Sequence, residues 1–416
     1  MDFTPSRADS DIWLRRVDDH YEYIAVYVDD LAIASKNPKA IIDSLVDTHK
    51  FKLKGTGPIE YHLGCDFFRD KHGVLCSSPR QYIDKLQGAY ERMFGSKPKS
   101  TYSSPLEQGD HPELDTTPFL DDTGIHKYQS MLGALQWVVT LGRLDVATAV
   151  MTMGSFRVAP REGHLSRLQR IYGYLSRMKH GTIRYRTDTP DLSGIDFPDH
   201  EWCHTVYGNV KEIIPPDAPE PLGKVVTQVS YVDANLAHNL MTGHAVTGVV
   251  HMFNQTPGDW FTKKQATVET STYGSEFVAA RTATQQIIDI RLQFRYLGAP
   301  VAPSTYLFGD NASVVQSATI PHSRLTKRHV ALSYHCVREA IAAGLIKFGH
   351  IPGDENVADI LSKHWGYSKI WPMLQPLLFY EGNTIHTLHK TKWKGRPKTE
   401  SHVKSSPDFP PSTTSG

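Results

Sequence analysis

The chain has 416 residues, a length typical of two or three domains rather than one. Hydrophobic residues make up 40% of it and charged residues 21%, which is the composition of a globular protein with enough apolar material for a core. A formal net charge of +1 excludes nucleic-acid binding through bulk positive charge, although local basic stripes are still compatible with it.

Neither the N-terminus nor the cysteines indicate secretion. Residues 1–7 lack the apolar stretch of a signal peptide, and the four cysteines are scattered without a Cys-x-x-Cys pair, as is typical of reduced thiols inside a cell. The most apolar window, 132–156, carries Arg143 and Asp145, which favours buried helices over a membrane span. We expect an intracellular protein, cytoplasmic or nuclear, that does not associate with membranes.

The N-terminal part of the chain predicts a β-hairpin with two acids at its turn. Residues 21–35 alternate and then run apolar, with Asp29 and Asp30 between the two strands. Paired carboxylates on a rigid hairpin are suited to holding Mg²⁺ against an incoming nucleoside triphosphate. An exposed Asp-Asp turn explains the pattern about equally well. The elements predicted next are a helix over 39–52, strands over 61–68 and 73–76, and a helix over 81–94.

The middle of the chain is predicted to be helical between two irregular stretches. Residues 95–124 are rich in turn-forming residues, and helices follow over 128–141 and 146–156. The basic segment 156–186 has an apolar stripe beside a stripe containing Arg167, Arg170 and Arg177. The basic stripe could follow a phosphate backbone, and a solvated basic helix is the alternative. The Pro-rich stretch 187–224 is predicted to be the main domain boundary.

Four acids stand out in the second half. From residue 225 the pattern predicts strand, strand, strand, helix, strand, helix, helix, strand, helix. Asp233, Glu276, Asp310 and Asp359 fall at strand ends or helix starts, where open α/β sheets bind ligands. Clustered carboxylates repel one another unless a cation lies among them, and oxygen ligands suit Mg²⁺, with Mn²⁺ as an alternative. Any one of the four could be an ordinary surface acid, but together they predict a metal site for phosphodiester hydrolysis.

Basic residues accompany these acids in two places, and a further basic stretch forms the C-terminal tail. Lys263 and Lys264 near a strand end, and the cluster of Lys327, Arg328 and His329, could contact a nucleic-acid backbone. Ordinary solvated surface residues are the alternative in both places. The basic, Pro/Ser/Thr-rich tail over 381–416 is predicted to be disordered.

Short motifs in a consistent order carry a family resemblance. They include Tyr27-Val28-Asp29-Asp30, residues 128–135, Gly309-Asp310-Asn311 and the Ala-Asp-Ile-Leu-Ser-Lys of residues 358–363. Over roughly residues 1–380 the chain resembles copia-type retrotransposon polyproteins, in which a reverse transcriptase precedes an RNase H domain. The resemblance implies α/β and α+β architecture: an incomplete palm with thumb and connection, then a ribonuclease H-like domain with a mixed five-stranded sheet. The implied segments are palm and thumb start (1–94), linker and helical connection (95–186), linker (187–224), RNase H-like domain (225–380) and tail (381–416).

The resemblance also implies roles for the acids. Asp29 and Asp30 correspond to paired polymerase acids, and Asp233, Glu276, Asp310 and Asp359 correspond to the four metal-binding acids of RNase H. A polymerase of this family needs a third Asp on an earlier strand, but only 26 residues precede Tyr27. We therefore expect no DNA synthesis from this chain alone.

The implied function is Mg²⁺-dependent hydrolysis of the RNA strand of RNA–DNA hybrids. The implied partners are such hybrids or other nucleic acids, and the rest of a retroelement polyprotein. Two alternatives stay open: a catalytically inactive remnant that at most binds nucleic acid, and an integrase or other nuclease on the same fold.

Overall fold

A computed structural model describes residues 1–195, 197–325 and 327–381. Three β-sheets are formed by these residues. The predicted basic tail lies outside the described residues, apart from its first position.

The first sheet is an antiparallel meander that contains the predicted hairpin. Its strands are β1 (Thr4–Pro5), β2 (Ile12–Val17), β3 (His20–Tyr27) and β4 (Asp30–Ala34). Strands β3 and β4 pair from Tyr23–Ala34 to Tyr27–Asp30, so the two acids lie at the tip as predicted. Val28 at this tip has a φ of 52°, in the left-handed region that β-branched residues rarely adopt. The tip is therefore a tight and exposed turn.

The second sheet is also antiparallel and leads into a layer of helices. Its strands are β5 (Tyr61–His62), β6 (Cys65–Arg69), β7 (Leu75–Ser78) and β8 (Ile183–Arg184). A short helix α1 (Pro38–Asp43) precedes it and continues as a π-helical turn over Ser44–Thr48. The layer consists of α2 (Arg80–Phe94), α3 (Asp122–Thr140), α4 (Ala147–Gly154) and α5 (Glu162–Arg177). Helix α3 begins earlier than predicted because the Asp121 carboxylate caps it, accepting from the Gly124 N–H at 2.7 Å.

The third sheet is the predicted mixed five-stranded one. Its strands are β9 (Gln228–Asn235), β10 (Val246–Phe253), β11 (Thr256–Lys264), β12 (Thr305–Gly309) and β13 (Ile346–His350). They lie in the order β11-β10-β9-β12-β13, with β12 parallel to both β9 and β13 and the other pairs antiparallel. The helices are α6 (Thr272–Tyr296), α7 (Ala312–Thr319), α8 (Ala331–Ala342) and α9 (Tyr367–Leu378). The predicted order of strands and helices and the mixed sheet are confirmed.

Both faces of this third sheet are covered. Helices α6, α7 and α8 cover one face, where Val249, Phe277 and Leu307 belong to a common apolar cluster. On the other face, Val250 belongs to the apolar cluster of α2–α5 and α9, whose members include Leu132 and Leu374. The helical middle of the chain and the sheet therefore share a continuous core. The predicted division of the chain into segments stays a prediction. The segments 95–186 and 225–380 would share one apolar core.

The described residues of the Pro-rich segment, 187–195 and 197–224, form no helix or strand. It is nevertheless attached to the third-sheet region. The Glu212 carboxylate accepts from Arg291 Nη2 at 2.8 Å and also pairs with Arg295, so the segment is fixed to α6.

A buried ion pair lies within the helical layer. Arg143 donates from Nε and Nη2 to the two carboxylate oxygens of Asp145 at 2.9 and 2.6 Å, and both side chains are fully buried. The Tyr174 hydroxyl donates to the same carboxylate at 2.7 Å. The apolar window around this pair forms buried helices as predicted, and no helix of the described residues is long and apolar enough to cross a membrane.

Candidate metal centre

Three of the four predicted acids meet at one edge of the third sheet. Asp233 lies near the C-terminal end of β9, Asp310 directly follows β12, and Glu276 lies at the start of α6. Because β9 and β12 are parallel neighbours, their C-terminal ends lie at the same edge. Carboxylate oxygens of the three residues lie within 4.8 Å of one another. The three carboxylates are therefore close enough to bind a common cation.

Asp359, the fourth acid, is linked to Asp233 by Lys363, which contacts both carboxylates. It is buried in a 3₁₀ turn over Val357–Leu361. The ammonium group of Lys363 lies 3.1 Å from the Asp233 carboxylate and also contacts Asp359 Oδ1. The Ser362 hydroxyl donates to Asp233 Oδ2. The structure thus brings all four predicted acids together, three directly and the fourth across Lys363.

The 3₁₀ turn that carries Asp359 is held from two sides. On the sheet side, the Asn356 side-chain amide donates to the Val232 carbonyl at 2.9 Å. On the helical side, the Thr148 hydroxyl of α4 donates to the Ile360 carbonyl at 2.8 Å. Gly248 of β10 lies so close to the turn that a Cβ there would be 2.6 Å from the Ala358 carbonyl oxygen. The position of Asp359 therefore depends on β9, β10 and α4 together.

Burial and mutual repulsion dominate the electrostatics of these carboxylates. Burial, then the charges of Asp233 and Asp310, raise the pKa of Glu276 well above its usual range. Burial and Asp233 also raise the pKa of Asp310. The same two causes raise the pKa of Asp359 to about 6, although Lys363 acts in the opposite direction. Burial lowers the pKa of Lys363, but its attraction to Asp233 and Asp359 outweighs this and raises it overall. A site with this excess of negative charge and these oxygen donors fits a hard divalent cation.

We expect the metal-free protein to lose stability as the pH rises through about 6. The Asp359 pKa is raised from 3.8 to about 6 in the folded chain, so its protonated form favours folding. This contribution is complete below the unfolded pKa and is lost as the pH rises through the folded one. A divalent cation such as Mg²⁺ would bind the ionised carboxylates, so the stabilising effect of added Mg²⁺ should grow over the same interval. Melting temperatures with EDTA and with Mg²⁺, from about pH 4 to 8, measure both trends.

Two variants make this test specific. Asp359→Asn should flatten the curve obtained with EDTA. Asp354→Asn, which removes an exposed carboxylate from the loop after β13, should leave the curve unchanged. A Mg²⁺ effect of the same size at every pH would contradict the expectation.

The predicted polymerase acids lie elsewhere. Asp29 and Asp30 are exposed at the tip of the first hairpin. Among the described residues, neither belongs to a group of three side chains able to bind a common metal ion. Their role as polymerase ligands stays a prediction without geometric support.

The basic candidates next to α6 are accessible. Lys263 and Lys264 are exposed at the end of β11. Lys327 contacts the hydroxyl of Ser271, the residue that caps α6. Arg328 and His329 are exposed beside it, and His329 Nε2 lies 3.2 Å from Glu269 Oε2. These basic groups lie at β11 and near the start of the helix that carries Glu276.

The three arginines of α5 have partners within the chain. Arg167 pairs with Asp110 at 2.9 Å and with Asp115 at 2.7 Å. Arg170 pairs with Glu107 at 2.9 Å, and Arg177 donates to the Thr101 carbonyl at 2.7 Å. The loop between α2 and α3 thus folds back over this basic stripe. This arrangement counts against the predicted nucleic-acid contact of these arginines, because their guanidinium groups are already engaged.

The sequence motifs do not identify Lys363, Ser362 or Asn356 as functional candidates. A signal for Lys363 was present, since it follows Asp359 by four residues, the spacing at which opposite charges meet on a helix. No comparable pattern predicts that the Asn356 side chain holds the 3₁₀ turn that carries Asp359.

Comparisons with known proteins bear on the first half as well as the second. No protein-family model matches the chain. The chain is 24% identical over 364 residues, 87% of its length, to the "Retrovirus-related Pol polyprotein from transposon RE1" of Arabidopsis thaliana. It is 23% identical over 349 residues, 83% of its length, to the corresponding polyprotein from transposon TNT 1-94 of Nicotiana tabacum. It spans about a fifth of these two relatives, 22% and 23% of their lengths.

The chain is also similar to a shorter relative and to two solved structures. A putative transposon Ty5-1 protein of Saccharomyces cerevisiae is 28% identical over 221 residues, which is 52% of this chain and 65% of that protein. An N-terminal RNase H domain from Mycobacterium tuberculosis is 15% identical with a TM-score of 0.27, covering 36% of this chain and 97% of that one. LC11-RNase H1, solved in complex with an RNA/DNA hybrid, is 16% identical with a TM-score of 0.27, covering 33% of this chain and 94% of that one. The matches to Pol polyproteins confirm that the chain resembles part of a copia-type retrotransposon polyprotein.

Proposed function

We propose that this chain is an RNase H-type endonuclease that hydrolyses the RNA strand of RNA–DNA hybrids with Mg²⁺. The observation that carries the proposal is the meeting of Asp233, Glu276 and Asp310, whose oxygens lie within 4.8 Å of one another at a sheet edge. The similarity to Pol polyproteins supports the same assignment.

The carboxylates divide into two proposed cation positions. Asp233, Glu276 and Asp310 would hold one ion, and Asp233 with Asp359 would hold another. Two ions held by these residues would supply an activated water and stabilise the leaving oxygen of the phosphodiester. The contribution of the chain is to orient Asp233, whose carboxylate is fixed by Ser362 and Lys363.

Binding of the hybrid is proposed to involve the exposed basic groups near α6. Lys263, Lys264 and Arg328 would contact phosphates, which position a duplex without reading its sequence. Selection of the RNA strand would depend on its 2′-hydroxyls and on the shape of the hybrid. We leave Arg167, Arg170 and Arg177 out of this surface because of their intramolecular partners. The rest of a retroelement polyprotein is a proposed partner.

The purified chain should cut the labelled RNA strand of a hybrid internally when Mg²⁺ is present, and should not cut it with EDTA. The DNA strand of that hybrid, and a DNA duplex of the same sequence, should remain intact, since neither offers 2′-hydroxyls in the strand to be cut. Gel analysis of the four labelled strands under both conditions measures this. Asp354→Asn, outside the acidic group, is the matched control and should cut at the wild-type rate.

Two outcomes would contradict the proposal in different ways. A hybrid that binds but is not cut would favour the inactive nucleic-acid-binding remnant. Equal cutting of the DNA duplex would favour another nuclease or an integrase on the same fold.

A further inference from the structure

We infer that Lys363 is a built-in cation of the acidic centre. Its ammonium group occupies the position between Asp233 and Asp359 that a second divalent ion would take. Free of nucleic acid, the chain would then hold one divalent ion, and a second could enter only when Lys363 withdraws. The inference deepens the proposed function and rests on the same site.

The position of the ammonium group is the first argument. Lys363 Nζ lies 3.1 Å from the Asp233 carboxylate oxygens and contacts Asp359 Oδ1. The Asp233 and Asp359 side chains are 1% and 5% exposed, whereas that of Lys363 is 26% exposed. An ordinary surface ion pair joins one acid to one base in water and contributes little. Here one cation bridges two nearly buried acids that are both proposed metal ligands.

The other half of the centre has no such cation. Among the described residues, no lysine, arginine or histidine forms an ion pair with Glu276 or Asp310. The ammonium group is therefore in direct contact with the Asp233–Asp359 side of the cluster, while its charge acts on Glu276 and Asp310 only from a distance. This asymmetry distinguishes a built-in cation from a general basic environment.

The net charge of the four acids and Lys363 also favours a single divalent ion in the free chain. If metal binding ionises all four carboxylates, they and the one ammonium group carry three net negative charges, which one divalent ion nearly neutralises and two would exceed. A phosphate of the hybrid brings the negative charge that a second ion would need, and Mg²⁺ typically shares substrate phosphates. Entry of the second ion should therefore accompany binding of nucleic acid.

The chain is built so that Lys363 can leave without releasing Asp233. The neighbouring Ser362 hydroxyl donates to Asp233 Oδ2 independently of the lysine. The Lys363 backbone is fixed by its N–H, which donates to the Asp359 carbonyl at 3.2 Å, so only the flexible side chain has to move. Lys363 is therefore a positioning residue that acts through the acids and the ion they bind.

Counting bound Mn²⁺ on the full chain without nucleic acid tests the inference. Calorimetric titration with Mn²⁺, checked by electron paramagnetic resonance of the free ion, should give one equivalent for the wild type and two for Lys363→Met. Lys363→Arg, which keeps the charge, should give one. Lys347→Met, an exposed lysine of β13, is the control for loss of a positive charge and should also give one.

A second measurement covers the case in which Lys363→Met fails to fold. The wild type titrated with a hybrid whose RNA carries 2′-O-methyl groups should bind a second equivalent of Mn²⁺ that it does not bind alone. Two equivalents on the free wild type, or one on both the wild type and a folded Lys363→Met, would overturn the inference. Cleavage of an unmodified hybrid is measured separately. An extra equivalent of bound Mn²⁺ without cleavage would contradict the proposed function but not the inference about Lys363.

Discussion

Asp233→Asn should reduce hydrolysis of a hybrid by more than about 100-fold while leaving the chain folded. Asp233 is the one acid that belongs to both proposed cation positions, since it meets Glu276 and Asp310 directly and Asp359 through Lys363. Losing a residue that merely supports a metal ligand typically costs 10–100-fold, so losing a shared ligand should cost more. Initial cleavage rates on a labelled hybrid, with circular dichroism to check folding, measure the effect.

The electrostatics of the centre explain why folding should survive this change. The charge of Asp233 is among the causes that raise the pKa of both Glu276 and Asp310, so removing it relieves repulsion. Asp289→Asn, at an exposed position on the same helix as Glu276, should retain the wild-type rate. Cleavage by Asp233→Asn within about tenfold of the wild type would place the reaction elsewhere in the chain.

Arg143→Met should lower the free energy of unfolding by about 3–5 kcal/mol, because it leaves the Asp145 charge buried without its counterion. Both side chains are fully buried, and the Tyr174 hydroxyl would be the remaining donor to that carboxylate among its observed hydrogen bonds. Urea denaturation followed by fluorescence and circular dichroism measures the change.

A second variant separates the charge effect from lost packing. Arg143→Met combined with Asp145→Leu removes both charges and should recover much of the loss, since replacing a buried pair with apolar residues is often neutral. Lys39→Met, which breaks the exposed pair with Asp43, should leave the free energy of unfolding nearly unchanged, because water and salt screen an exposed ion pair. A single and a double variant of equal stability would show that the loss comes from packing rather than from the unpaired charge.

Secondary-structure elements that depend on the local sequence pattern could be predicted from the sequence. The hairpin that presents Asp29 and Asp30 and the order of elements after residue 225 follow from apolar periodicity and turn residues, whereas the mixed sheet is implied by the family resemblance. The meeting of Asp233 and Asp310 follows from the rule that parallel strands end at one edge.

What the sequence did not predict depends on long-range contacts. An amphipathic stripe indicates that a helix buries one face but not what it packs against, so the covering of the Val250 face by α2–α5 was not foreseen. The arginines of α5 form a basic stripe in the sequence, whose pattern does not reveal partners such as Asp110 that are more than fifty residues away. The contact of Lys363 with Asp233 spans 130 positions, so the local motif that contains Lys363 does not predict it.

The core that the helical layer and the third sheet share also limits which part of the chain can be transferred to another protein. The Thr148 hydroxyl holds the turn of the fourth acid, and Ile360 and Leu361 of that turn lie in the apolar cluster of the helical layer. A segment cut out at residue 225 and fused to another protein would carry all four acids but lose this support for the last one. We therefore expect that residues 225–381 keep Asp359 in place only when they are transferred together with the helical layer.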